Sequence, residues 1–203
     1  MIEILFFAVF LAGLLMKLSH LPYHTIVMLT GLLLLLGLSI ARLIKSQPGV
    51  KRTAGWLGLA TVSWLLFFFS EVKFLGGTVV VMMIALLVSV ISLLLTLREP
   101  GVLPGGRIFI LLVALCLAAG TSWMEPYTRY YVFNIRFSND ANEDYLTLDK
   151  YSWFLYAGRR YDEALNINGM AHNAAIIKGD EDSAAFIEDH AKAIRERNWK
   201  HYD

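Results

Sequence analysis

Residues 14–28 read Leu14-Leu15-Met16-Lys17-Leu18-Ser19-His20-Leu21-Pro22-Tyr23-His24-Thr25-Ile26-Val27-Met28. The stretch is a tight polar corner between two apolar runs, and a related corner follows about fifty residues later. Read as a membrane hairpin, it sets the topology of the rest. Ile4 to Leu18 is the first apolar run, at 4–18, short against the roughly 20 residues that cross a bilayer. Further runs follow at 25–44, 53–69, 78–97 and 108–123. The connections Lys45 to Arg52 and Arg98 to Arg107 carry the Pro and Gly residues that stop helices. Five nearly uncharged runs leave no polar face for water, which disfavours a soluble core of buried helices.

Composition agrees. Of the 203 residues, 57% are hydrophobic and 17% charged, where a soluble domain carries about 25% charge. The charges crowd into the last eighty or so residues, so the expected division is a transmembrane bundle over 1–124 and an extramembrane helical domain over 125–203. The fold class expected is all-α: a polytopic bundle of about five spans, two of its hairpins repeated, with a small C-terminal helical domain. A net charge of +1 with no basic stripe gives no reason to expect nucleic acid as a partner. Cys116 is the one cysteine and lies in an apolar run, so no intramolecular disulfide can form. The first run lacks a basic leader and a small-residue cleavage site, and reads as a retained span.

Lys and Arg give the sidedness. Arg42, Lys45, Lys51, Arg52, Arg98 and Arg107 lie around the loops after spans two and four; Lys17 and Lys73 alone lie after spans one and three. The positive-inside bias puts the first set, and the N-terminus, in the cytoplasm, and residues 125–203 outside it.

The two corners look like copies. Leu14 to His20 aligns with Leu65 to Glu71, and Thr25 to Met28 with Thr78 to Val81. Both run in the same direction, which makes a parallel repeat. Lys17, His20 and Pro22 resemble the first hairpin of the gliding-motility protein GldL and its relatives in Bacteroidetes, where Lys is followed by His-Trp-Pro-Gly; Leu21 and Tyr23 depart from that pattern. The resemblance covers about 40 residues and implies a bacterial inner-membrane protein. It does not carry over motor function, because the long cytoplasmic tail of the family's namesake is missing from this sequence.

The tail opens with Trp123, Tyr127, Tyr130 and Tyr131, aromatic residues suited to a membrane interface. Tyr130 to Ser138 fits either a short strand or the first turns of a helix. Helices are expected over Tyr145–Tyr156, from Tyr161 to about Ile177, and over Ser183–Asn198. The corner between the first two, with Gly158, Tyr161 and Ala164, resembles the tetratricopeptide repeat. In that frame Leu148, Tyr151, Leu155 and Ala171 take apolar or small positions and Ser152 a close-contact one; Gly158 falls one residue early and Leu148 stands where Trp is usual. One such unit cannot bury its own face.

Candidate chemistry is thin. His20 and His24 have a metal-ligand spacing, but Pro22 separates them and no further ligand is near, so a corner pair is the simpler reading. Lys17 most simply snorkels; Glu71 and Lys73 can pair across the second corner. Lys17, His20, Glu71 and Lys73 are therefore the membrane-corner polar residues. Asp180-Glu181-Asp182 suits a helix start. His172 and His190 have no nucleophile or carboxylate pair beside them in sequence. Trp153, Tyr156, Tyr161 and Trp199 are the candidate partner-binding residues. No catalytic residue, metal or cofactor is expected, and no ionisable group lies mid-span, where ion pathways usually need one. The leading expectation is a non-catalytic inner-membrane protein whose C-terminal module binds a protein partner, or a second copy, or completes a membrane complex. A transport or motor-associated subunit is the alternative.

Overall fold

The structure, a computed structural model, describes residues 2–45, 50–75, 77–98, 105–136 and 144–200. All regular structure among them is helical: α1 (Ile2–Leu18), α2 (His24–Ile44), α3 (Val50–Val72), α4 (Thr78–Arg98), α5 (Gly105–Ser122), α6 (Pro126–Asn134), α7 (Tyr145–Ala157), α8 (Tyr161–Ile177) and α9 (Glu181–Glu196). The open choice at Tyr130 falls to helix, because Pro126 opens α6 at a position where its missing N–H costs nothing. Ser138 lies outside the described residues. Two compact units result: 1–17 with 21–123, and 18–20 with 124–203.

In the first unit α2, α4, α5 and the 53–72 stretch of α3 are long and apolar enough to cross a membrane. Where the sequence suggested five spans, α1 is the exception, at 17 residues. A helix of that length spans about 25 Å, short of the roughly 30 Å hydrocarbon layer. On α4 only Ala85 and Ser92 are buried, while Val79, Met83, Leu87, Val90 and Leu94 are more than half exposed. Such a surface suits lipid and not water.

α3 is the central helix, packed by α2, α4 and α5. Phe10 of α1 meets Phe68 of α3 edge-on at 6.2 Å, and Phe10, Met28, Leu65 and Phe68 are fully enclosed. Two glycines set the α1–α2 crossing. A Cβ on Gly31 would lie 2.6 Å from the Phe10 nitrogen, and one on Gly13 would lie 2.6 Å from the Met28 nitrogen. Small residues of this kind let membrane helices approach backbone to backbone. Hydroxyls and an indole stitch α3 to α4: Trp64 donates to Ser89 at 2.9 Å, and Ser92 donates to the Trp56 carbonyl at 2.9 Å.

Both corners follow one backbone path. His20 and Tyr23 have φ of 53° and 64°, and Phe74 and Gly77, each 54 residues later, have 54° and 80°. Leu21 N–H bonds to Met16 O at 2.9 Å, and Leu75 N–H bonds to Ser70 O at the same distance. These are the bonds of a helix closed by a left-handed residue. The helix-ending register is thus 54, whereas the sequence alignment of the first arms placed Leu14 over Leu65, three residues out. In the observed register Lys17 stands over Glu71, Met28 over Met82 and Gly31 over the buried Ala85.

In the second unit α7, α8 and α9 pack consecutively. Asp144 and Asp180, 36 residues apart, cap α7 and α9 alike, each accepting from the N–H three residues on, Thr147 or Ser183, at 3.1 Å. α7 and α8 end through left-handed Arg159 and Gly179, and α9 through left-handed Arg197. Leu148, Ser152, Leu155, Ala164 and Ala171 are all buried, and Tyr151 is partly so. Tyr130 is buried, its ring stacked on Tyr151 at 6.2 Å and tilted against Phe154 at 4.8 Å. Burial also pushes its phenol well above the usual tyrosine range.

Candidate functional site in the C-terminal helices

Four core positions of the α7–α9 layer hold polar side chains, Asp149, Ser152, Asn168 and His190, and three of them meet. α8 buries Ala164, Asn168, Ala171 and Ala175 at helical spacing. α7 contributes Asp149 from the same face as Ser152, and α9 contributes His190 between Ile187 and Ile194. Asp149 is fully enclosed, and its carboxylate has two neighbours. Asn168 Nδ2 donates to Oδ1 at 2.9 Å, and His190 Nδ1 lies 2.9 Å from Oδ2. A buried carboxylate without such donors is costly, so the three helices are tied at one point. Residue-by-residue reading left His190 without a carboxylate. The available signal was that Asp149 and Asn168 occupy the buried phase of their own helices.

Asn168 is satisfied on one side only. Its Nδ2 is taken by Asp149, while its Oδ1 is buried and accepts no hydrogen bond. A concavity of about 230 Å³ opens between α8 and α9, and Asn168, Gly169, His172, Asn173, Glu188 and Arg195 line it. Gly169 faces open space; a Cβ there meets nothing within 4 Å. The groove therefore offers one carboxylate, Glu188, and one guanidinium, Arg195.

The aromatic residues singled out from sequence hold this unit together. Trp199 is buried and stacks on His190, ring centroids 4.3 Å apart; Phe186 flanks the same imidazole at 4.2 Å. Tyr156 lies 5.8 Å from Trp199 and 5.5 Å from Tyr161, over which Arg197 places its guanidinium at 4.8 Å. Trp153 packs edge-on against Phe154 at 5.0 Å. Leu155 and Ala164 are buried as their spacing suggested, while Trp153 and Tyr161 are partly buried. Trp199, beyond α9, thus packs into the core cluster that contains Leu155, Ala164 and Ile194.

The membrane-corner residues are arranged differently from the sequence expectation. Lys17 and Glu71 both sit in last helical turns with buried side chains, so Lys17 does not snorkel outward. α3 continues three residues past the expected end, and this carries Glu71 into the bundle. Lys73 bonds His24 across the two corners, Nζ to Nε2 at 3.1 Å. His24 Nδ1 lies 2.9 Å from the Leu21 carbonyl, which fixes the Nδ1–H tautomer with Nε2 as acceptor. His20, half-buried, is the left-handed residue that ends α1. Among the described residues no group of three His, Cys, Asp or Glu side chains is placed to hold a metal ion. Cys116 is exposed on α5.

Compared with protein-family models, with curated proteins and with solved structures, the chain matches none.

Proposed function

We propose that this chain is a non-catalytic integral protein of a bacterial inner membrane. Its bundle anchors a helical module that docks one helix of a protein partner in the α8–α9 groove. The carrying observation is the groove itself, about 230 Å³ and lined by His172, Asn173, Glu188 and Arg195. Glu188 and Arg195 offer a partner helix one carboxylate and one guanidinium for charge-assisted hydrogen bonds. Three helices also make one hairpin and half of the next, as in a tetratricopeptide-like stack cut short, where a neighbouring helix would cover the exposed side of α8 and α9. Non-catalytic is the better reading because the Asp149–His190 pair has no nucleophile at hand: the Ser152 hydroxyl donates to the Asp149 carbonyl at 2.6 Å. In this reading α1 is a short fifth span, the N-terminus is cytoplasmic and residues 125–203 are periplasmic.

Gly169→Leu tests the docking. The new side chain meets none of the protein's own atoms near its Cβ but fills the groove. Proteins recovered with the tagged chain in mild detergent should be lost from this variant while its melting temperature holds. Undiminished recovery would refute the groove as the docking site. A periplasmically active reporter should work when fused after residue 203 and fail at residue 47; the reverse pattern inverts the topology.

The alternative, a transport or motor-associated subunit, draws on the GldL-like corner and on the buried Lys17 and Glu71. Against it stands the enclosed apolar plug of Phe10, Met28, Leu65 and Phe68, which contains no group able to pass an ion.

A further inference from the structure

Three helix ends of the bundle bring together one carboxylate and two guanidiniums. Glu3 lies in the first turn of α1, Arg42 in the last turn of α2, and Arg107 is the third residue of α5. Arg107 Nε donates to both Glu3 oxygens, at 2.8 and 3.1 Å, and Arg42 Nη1 pairs with Glu3 Oε1. Glu3 is nearly buried, and each arginine side chain keeps about a quarter of its surface exposed. One negative charge against two positive leaves the cluster with a net +1. Arg107 meets Glu3 through Nε alone, so its terminal N–H groups remain for another acceptor; among the described residues no second carboxylate pairs with either arginine.

Among the described residues bordering the cluster, the hydroxyls donate elsewhere. A cavity of about 20 Å³ beside Glu3 and Arg107, with room for one water, is bordered by Ser39 and Thr61. Both hydroxyls are committed to their own helices, Ser39 to the Leu35 carbonyl at 2.7 Å and Thr61 to the Leu57 carbonyl at 3.0 Å. Exposed apolar side chains flank the cluster along the same helices: Ile4 at 55%, Ile44 at 78% and Phe109 at 65%. Acyl chains would cover these residues and leave the guanidiniums at headgroup depth.

We propose that Arg42 and Arg107, held by Glu3, bind the phosphate of an anionic membrane lipid. Guanidinium forks suit phosphate oxygens, which accept two parallel N–H bonds from one arginine. Glu3 acts as an internal counter-ion. It positions the forks when no lipid is present and takes part of their donor capacity away. The lipid bridges α1, α2 and α5, so its binding stiffens the bundle at that end.

The test uses the full chain purified in mild detergent. Lipid retention is read by native mass spectrometry and the melting temperature is followed on adding phosphatidylglycerol, phosphatidylcholine or inorganic phosphate. Phosphatidylglycerol should be retained and raise the melting temperature; phosphatidylcholine and inorganic phosphate should do neither. Arg42→Gln and Arg107→Gln should each weaken retention about tenfold, the loss of one charge-assisted bond. Lys45→Gln, a charge removed from the same end of α2, should leave retention unchanged, and Glu3→Gln should retain at least as much lipid as the parent. Equal losses from Lys45→Gln and the arginine variants would overturn the site in favour of diffuse surface charge. Equal stabilisation by inorganic phosphate would overturn the lipid as its ligand. Should the arginine variants melt too early to purify, Glu3→Gln still decides: reduced retention in that variant sinks the proposal.

Discussion

His190 holds its Nδ1 2.9 Å from Asp149 Oδ2, joining positions 41 residues apart at the centre of the C-terminal helices. The bond makes α9 answerable to α7, with Asn168 of α8 completing the set. Asp149→Ala would strip both partners at once and leave two buried donors facing a void. The expected loss is about 1–3 kcal/mol, the scale for leaving a buried donor without its acceptor. Urea unfolding followed by tryptophan fluorescence measures it, because Trp199 stacks on the same imidazole. A midpoint equal to that of the parent would show that the pair does not bear on folding.

Acid and alkali should act on one contact of the same unit. The Tyr145 hydroxyl donates to Asp180 Oδ2 at 2.6 Å, with Lys178 over the Tyr145 ring at 5.8 Å. That bond, aided by those from Ser183, holds the Asp180 carboxyl below the usual carboxylate range. The same bond raises the Tyr145 phenol. A depressed acid contributes stability above its unfolded pKa and loses it as pH falls through the folded value; a raised phenol contributes below its unfolded pKa and loses it as pH rises through the folded one. Tyr145→Phe should therefore lower stability across the middle of the pH range and converge on the parent at the acid and alkaline extremes, which flattens both limbs of the profile. Thermal melts across pH would read this, and an unaltered acid limb would discount the bond.

In the bundle, Gly31 and Gly37 make a matched pair. A Cβ on Gly31 strikes the backbone of Phe10 at 2.6–2.9 Å, while one on Gly37 meets nothing within 4 Å. Backbone cannot step aside as a flexible side-chain end can. Gly31→Val should cost roughly 1–3 kcal/mol by overpacking, seen as a lower melting temperature in detergent, and Gly37→Val should leave it close to that of the parent. Equal effects would mean that α1 and α2 do not cross at Gly31.

The helices were legible where composition and punctuation speak together. Tyr145–Ala157 and Tyr161–Ile177 begin and end nearly where the Gly158 and Lys178-Gly179 signals put them. Charge was read less well. A polarity pattern assigns charged residues to surfaces, so it missed Asp149 and Asn168 in a core and took Lys17 for a snorkelling side chain. Burial of such groups depends on partners from other helices, and the linear sequence does not display those. The likeness of the two corners was visible, but the register in which their backbones match was not: the left-handed residues His20 and Phe74 set it, and apolar arms slide past one another without penalty in an alignment. The meeting of Glu3 with Arg107 across 104 positions had no local signal at all.

The last prediction separates docking from ion coupling. Glu71 and Lys17 are buried charges at equivalent places in the two hairpins, and Lys73 links the corners through His24. Were this chain to couple ions, one of these groups would be indispensable, because moving an ion past the plug of Phe10 and Phe68 without charged help costs several kcal/mol. Were it to dock a partner helix, the decisive groups would be those of the α8–α9 groove. Glu71→Gln and Lys73→Gln should then leave partner recovery unchanged, provided the protein inserts at normal abundance. Arg195→Glu, which reverses a charge lining the groove, should reduce recovery by about tenfold or more, the scale of one charge-assisted contact turned repulsive. Full recovery with Arg195→Glu together with a null at Glu71 would move this protein into the transport class.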